Sequence, residues 1–387
     1  MPNEVKNFDG AHIAAGVEVP YRRHANVKTT DLLASAFNKA LEKANIPATE
    51  VDGLGVASFT MGPDRAIDLA WRLGLSPRWS MDDGHGGASG INLLQHAIRA
   101  VQSGDASVIV LVSGDHFEPA DFTKLVENYN ITTRDHLRPL NIGGPNSLFA
   151  MLTSRHMRTY GLDRADYGAI AMAQRQWAML NPDAIYRTPL TLNDYLDAPM
   201  VSDPLCRYDC VPVVSGANAI VITSAERTPA NAKAIRIKSL RALHNHDHQE
   251  GDGLTTGLAS IANELWTSAG LGPDDVDLIS VYDDYPVMVL AQLADLGFIK
   301  NQDFRGFIHS QIATRKLPIN TSGGQLSAGQ AGAACSMHGL VEAITQLRGE
   351  AQDRQIKHAR TAVVTGYGMV EYRYGMCANA VILETAQ

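Results

Sequence analysis

The residues of this chain best suited to chemistry on a developing anion lie in three glycine-rich turns and one Tyr-Asp-Asp segment. The first turn, DDGHGGASG from Asp82 to Gly90, runs directly into a helix-like stretch. Its backbone N–H groups can therefore face negative charge at that helix's N-terminus. The spacing is not G-x-G-x-x-G, so the turn is not a dinucleotide fingerprint. The second, NTSGGQLSAGQAGAACSMHG from Asn320 to Gly339, holds Gln330, Cys335 and His338 where a loop enters a helix. The third, TGYGMVEYRYG from Thr365, follows a strand, and Val281-Tyr282-Asp283-Asp284 ends another. Brought together at equivalent sheet ends, these four loops would surround one pocket.

Other reactive residues have plainer readings. His85 sits between glycines beside Asp82 and Asp83, which can orient it or raise its pKa, although a solvated turn histidine fits equally well. His338 reads as packing or capping within its helix. Cys335, in an Ala-rich run, reads as a buried structural thiol, and Cys377, in CANAVIL, as strand core. Cys206 and Cys210 have the look of half a zinc site, but no second pair follows. His244, His246 and His248 alternate along an extended segment and read as a polar loop or partner-facing edge rather than a metal site.

The elements that must position these residues repeat along the chain. ANIPATEVD, residues 44–52, aligns without a gap to AGLGPDDVD, residues 269–277, and each block precedes an apolar strand. Gly86-Gly87, a helix-like run from Ser89 to Gln102 and the strand VIVLVSG correspond to Gly323-Gly324, a run to about Leu347 and the strand TAVVTG. Such strands, alternating with helices, read as buried members of mixed or parallel sheets. The expectation is an α/β chain of two similar halves, 1–228 and 229–387, with AERTPANA (225–232) as the linker. A stretch rich in Pro, Tyr, Asn and Arg, about Glu118 to Pro212, interrupts the first half and reads as a helical lid with loops, including an amphipathic run from about Asp166 to Leu180.

Composition narrows the function classes. The chain has 387 residues, 45% hydrophobic and only 19% charged, which implies large buried cores rather than disorder. Its 33 basic residues against 41 acidic ones, with no basic run, argue against a nucleic-acid groove. Four cysteines are too few for a disulfide framework and fit a reduced, cytoplasmic setting. The start, MPNEVKNFDG, has no basic segment followed by an apolar stretch, and no run of about 18 apolar residues occurs, so neither secretion nor membrane spanning is expected.

In YDDYPVMVLAQLADLGF, LPINTSGGQLSAGQAG and the GASG helix closed by SGDA, the chain resembles the thiolase superfamily over nearly its whole length, in the branch of the sterol-carrier-protein thiolases. The resemblance implies the five-layered, duplicated thiolase fold and a dimer or higher assembly. It also implies departures. The acyl-accepting cysteine of a thiolase falls on Gly87, the histidine of its Gly-His-Pro arrangement on Gln330, and its second cysteine within Gly366-Tyr367-Gly368. Gly87 cannot form a thioester, and an amide cannot shuttle a proton.

What the resemblance leaves is an apparatus for holding an acyl-CoA and stabilising an enolate: turn glycines Gly87 and Gly368, the Gln330 amide, and Tyr282. The steroid side-chain aldolases of the superfamily are similar, with a tyrosine in the segment that Tyr282-Asp283 matches. By this likeness Tyr282 is the first catalytic candidate, as donor or acid rather than base, with Gln330 and Asp283 beside it. The second tyrosine of those aldolases is missing near Gln330-Ala331, and Tyr367 or His85 would substitute. The implied reaction is retro-aldol cleavage of a 3-hydroxyacyl-CoA to a ketone or aldehyde and a shorter acyl-CoA, such as acetyl- or propionyl-CoA. Coenzyme A enters only as part of the substrate, and no resident cofactor or metal is expected. A separate small OB-fold, zinc-ribbon protein is the expected partner, and the insertion suits a bulky or ring-containing acyl chain. The alternatives are an atypical acyltransferase or condensing enzyme working through Cys335, and a silent scaffold subunit.

Overall fold

The computed structural model describes residues 7–23, 26–128, 130–140, 142, 144–228, 233–246, 251–371 and 374–386. Apolar runs become strands and the periodic runs between them become helices. The first half runs β1 (Ala11–Arg22), α1 (Thr29–Ala44), β2 (Gly53–Ala57), α2 (Arg65–Leu73), β3 (Trp79–Asp82), α3 (Ser89–Ser103) and β4 (Val108–Asp115). The insertion carries α4 (Pro119–Glu127), α5 (Gly144–Tyr160), α6 (Arg164–Ala178), α7 (Leu192–Leu196) and a hairpin of β5 (Met200–Ser202) and β6 (Leu205–Cys206). The chain rejoins the sheet in β7 (Ser215–Ser224). The second half runs β8 (Ile235–His244), α8 (Leu258–Ala269), β9 (Leu278–Ser280), α9 (Pro286–Asp295), α10 (Phe304–Phe307), α11 (Gly324–Ala328), α12 (Cys335–Leu347), β10 (Thr361–Glu371) and β11 (Tyr374–Thr385).

The large sheet has the order β3-β2-β4-β7-β1-β8-β11-β10-β9. In the first half β3, β2 and β4 are parallel and β7 is antiparallel to both β4 and β1. The second half repeats this: β9 and β10 are parallel, and β11 is antiparallel to β10 and β8. The place of β3 is taken there by one parallel bridge, Ile279 to Ile319. β1 and β8 meet at the single register pair Ile13–Ile235.

The aligned blocks are structurally equivalent. α1 stops at Asn45 and α8 at Gly270, both left-handed C-caps. A single 3-10 turn follows each, Ala48–Glu50 and Pro273–Asp275, and β2 and β9 begin after the same interval. The last residues of the blocks do the same work. The Asp52 carboxylate accepts N–H bonds from Ser107 and Val108 at the start of β4, and that of Asp277 from Arg360 and Thr361 at the start of β10. The second correspondence is looser. Gly86-Gly87 leads straight into α3, whereas α11 and a loop separate Gly323-Gly324 from α12, because Gly329 (φ 122) and Gly332 (φ 55) turn the chain out of a right-handed helix.

Three apolar cores separate five layers. One lies between α1 and α2 and the outer face of the first-half strands. The second surrounds α3 and α12, which lie between the two halves of the sheet and are largely buried there, α3 keeping one polar edge of Gln95, His96, Arg99 and Gln102. The third joins the outer face of the second half to α8 and α9, and to α5 and α6 of the insertion. The expected run from Asp166 is α6, whose start is fixed by Asp163 accepting the Ala165 and Asp166 N–H groups. Of the expected linker, Ala225–Arg227 forms a 3-10 turn and residues 229–232 lie outside the described residues. No helix among the described residues is long and apolar enough to cross a membrane.

Candidate active site

A cavity of about 230 Å³ lies where the Gly86–Ala88 turn before α3, the loop before α12 and the segment after β9 meet the insertion. Gly86, Gly87, Tyr282, Asp284, Gln330 and Cys335 form its chemical side. Phe59, Phe117, Phe122, Leu125, Val126 and Tyr285 form an apolar wall opposite.

Tyr282 is buried and fixed through its backbone. Its N–H donates to Thr365 Oγ1 (3.0 Å), and its carbonyl accepts from Gln292 Nε2 (2.6 Å). Its hydroxyl accepts from Gln330 Nε2 (3.2 Å) and lies 3.4 Å from Cys335 Sγ. Gln330 is held in turn by Gln325 Oε1 at 3.1 Å and by backbone bonds to Pro212 and Val214. The ring of Tyr282 lies directly against Gly87. A Cβ at position 87 would overlap ring atoms of Tyr282 and the carbonyl oxygen of Tyr367. The space that a cysteine side chain would need is filled by the tyrosine.

Cys335 is a buried thiol, as expected, but it opens α12 and lines the cavity rather than lying within the body of the helix. Burial pushes its thiol up to about 12, which leaves it protonated near neutrality. Asp284 is a cavity residue that sequence reasoning did not single out. It lines the cavity, and its Oδ1 has no hydrogen-bond partner among the described residues. Burial first, and the charge of Asp283 second, hold its carboxyl well above the usual carboxylate range. The available signal was two adjacent carboxyls in an otherwise apolar strand end.

Asp283 faces away from the cavity. It accepts bonds from the N–H groups of Gln325 (2.9 Å) and Leu326 (3.4 Å) and from Gln174 Nε2 (2.8 Å). Burial pushes its carboxyl up to about 7 against those donors. Its place is that of a positioning residue, tying α11 and hence the Gln330 loop to the end of β9. Tyr367 is buried in the outer core of the second half and does not line the cavity; its carbonyl backs Gly87. Gly368 also supports the turn from behind, since a Cβ there would overlap the His85 carbonyl. His85 itself is exposed and outside the cavity, with Nδ1 2.9 Å from Asp83 Oδ2, a bond that raises its pKa. The structure thus brings Tyr282, Gln330 and Gly87 together and leaves His85, Tyr367, Asp283 and Gly368 around them.

His338 lies outside this cavity, bonded to Glu18 (2.8 Å) and Ser322 (2.8 Å). The loop before α12 is anchored by Asp115, whose carboxylate accepts from Ala333 N, Ser58 Oγ, Thr60 N and Thr60 Oγ1. All four cysteines are free. His248 lies outside the described residues.

The chemical side therefore offers a phenol, an amide, a thiol and a carboxylic acid, set close to the N-terminus of α3. Groups of this kind donate hydrogen bonds to charge developing on a bound oxygen, in an enclosure where such bonds are strong.

Comparison with known proteins gives, among others, four matches. Residues 241–385 match the family described as thiolase C-terminal domain-like. The chain is 31% identical over 360 residues to a 17-hydroxy-3-oxo-4-pregnene-20-carboxyl-CoA lyase of Mycobacterium tuberculosis, covering 87% of this chain and 91% of that one. It is 27% identical to a steroid side-chain-cleaving aldolase of Thermomonospora curvata, covering 93% and 96%. Among solved structures, the Ltp2-ChsH2(DUF35) aldolase superposes with a TM-score of 0.83 at 25% identity, covering 98% of each chain.

Proposed function

The chain belongs to the thiolase superfamily, in its sterol-carrier-protein thiolase-like branch, and from that premise we propose that it is an acyl-CoA aldolase that cleaves a 3-hydroxyacyl-CoA without a cysteine nucleophile. The observation that carries this reading is the interlock of Tyr282 and Gly87, which replaces the sulfur attacker by a hydroxyl donor.

In the proposed reaction the thioester oxygen accepts a hydrogen bond from the Tyr282 hydroxyl, whose oxygen is oriented by the Gln330 amide. The bond between the α and β carbons breaks, and its electron pair becomes the enolate of the shorter acyl-CoA. The β-hydroxyl proton leaves as the C=O of the released ketone or aldehyde forms. Asp284, neutral and with an unpartnered oxygen, takes that proton on one oxygen and delivers the proton of the other to the α carbon. The proton count closes with no ionised intermediate on the protein. Asp283 positions the Gln330 loop, and Gly87 and Gly368 shape the turn. The apolar wall favours a ring-containing acyl group of the kind named for the Mycobacterium tuberculosis relative. A DUF35 partner, by analogy with the complex named for the structural neighbour, and a homodimer complete the proposed assembly.

The test is incubation of the purified chain, with and without its small partner, with aliphatic, aromatic and steroidal 3-hydroxyacyl-CoAs while carbonyl release is followed. Tyr282→Phe should lower kcat by about 100-fold or more with an unchanged unfolding midpoint to within roughly 1 kcal/mol. No cleavage across the panel, or acyl transfer onto Cys335 seen by peptide mass mapping, would overturn the assignment.

A further inference from the structure

A second set of reactive side chains stands outside the cavity. His85, His244 and Cys377 each present one ligand atom, and the three atoms lie within 4.8 Å of one another. The fold brings them together from distant parts of the sequence. Cys377 on β11 is the register partner of His244 at the end of β8 on one side and of Gly368 in β10 on the other. The loop carrying His85 closes over Gly368, where the absence of a Cβ lets the His85 carbonyl approach. The two imidazoles lie 5.3 Å apart between centroids and 34° from parallel, so neither ring is packed flat on the other.

His85 is also oriented. Its Nδ1 faces Asp83 Oδ2 at 2.9 Å, and its backbone N–H donates to Asp83 Oδ1 at 2.9 Å. Asp83 is itself buried and accepts from Asn92 Nδ2 at 3.4 Å. A carboxylate that accepts Nδ1–H fixes the tautomer and leaves the Nε2 lone pair free, the arrangement that supports histidine as a metal ligand. Two imidazole nitrogens and one sulfur suit a borderline-soft divalent cation such as Zn²⁺, with a fourth tetrahedral position open to water.

We propose that His85, His244 and Cys377, with Asp83 orienting His85, form a Zn²⁺-type site that fastens the turn before α3 to strands β8 and β11. Binding displaces the thiol proton to solvent and involves no change of oxidation state. The inference is independent of the aldolase reading.

Titration of Co²⁺ into untagged, metal-free protein tests it spectroscopically. One equivalent should bind with a sulfur-to-cobalt charge-transfer band and tetrahedral ligand-field absorption, and Zn²⁺ should displace it. Cys377→Ser should abolish the charge-transfer band. His244→Ala, at the exposed end of its strand, should weaken binding by about tenfold or more, and Asp83→Asn by about tenfold. Absence of the band in the native protein, its survival in a folded Cys377→Ser variant, or unchanged affinity in His244→Ala would each overturn the proposal.

Discussion

Position 87 has no room for a side chain, and this decides what kind of catalyst the pocket can be. Gly87→Cys would not recreate a thiolase, because the new side chain would meet the Tyr282 ring and the Tyr367 carbonyl. The variant is expected to be destabilised by about 1–3 kcal/mol, to lose cleavage activity and to form no acyl-enzyme. Urea unfolding and mass spectrometry after incubation with an acyl-CoA measure both effects. Asp284 gives a signature in pH. In the proposed reaction the working form is the protonated one, so wild-type turnover should fall as pH rises through its elevated pKa. Asp284→Asn should lower turnover by about 100-fold or more and leave a residual rate without that limb, seen in a kcat profile at saturating substrate. The convergence of Tyr282, Gln330 and Gly87 was legible through the thiolase resemblance, which placed all three in segments that the structure brings to one cavity. For Asp284 the paired carboxyls with Asp283 were a signal, but its elevated pKa was not legible, since it comes first from burial created by segments remote in the chain. Tyr367 shows the opposite limit. Strand alternation turns its ring toward the outer core and puts its flanking glycines, Gly366 and Gly368, against the turn before α3.

Asp115 joins two elements from opposite halves, β4 and the loop before α12. Asp115→Ala would leave the N–H groups of Ala333 and Thr60 and two hydroxyls without their acceptor. A loss of about 2–4 kcal/mol in unfolding free energy is expected, read from the denaturant midpoint, together with a raised KM as the Gln330 loop loosens. Much of the element plan was legible. The aligned blocks mark helix end, 3-10 turn and strand start in both halves, and their closing aspartates clamp the next strand in each. The interruption by α11 was not legible, because it depends on two glycine conformations that the local pattern does not distinguish from a continuing helix.

The layered architecture follows from apolar strands and two largely buried helices, α3 and α12, whereas the shape of the cavity depends on how the insertion packs over the second half. Burial across these layers also sets a pH response. The Asp295 carboxyl, which accepts Thr256 N–H and Oγ1–H, is pushed by burial up to about 7 from an ordinary 3.8. The folded chain therefore holds a proton that the unfolded chain releases between those values, and its contribution to stability is lost as pH rises toward 7. Asp295→Asn should gain on the wild type over that interval by on the order of a few kcal/mol. Paired denaturation curves at either end of the window give the comparison.

Within the large sheet the two halves meet at a single register pair, Ile13–Ile235, so sheet hydrogen bonding between β1 and β8 does little to hold one half to the other. Cohesion comes instead from the shared greasy filling around α3 and α12, together with buried polar bonds such as those of Asp115, Asn218 and Asn379. A molecule fastened in this way resembles two clasped hands more than one woven cloth.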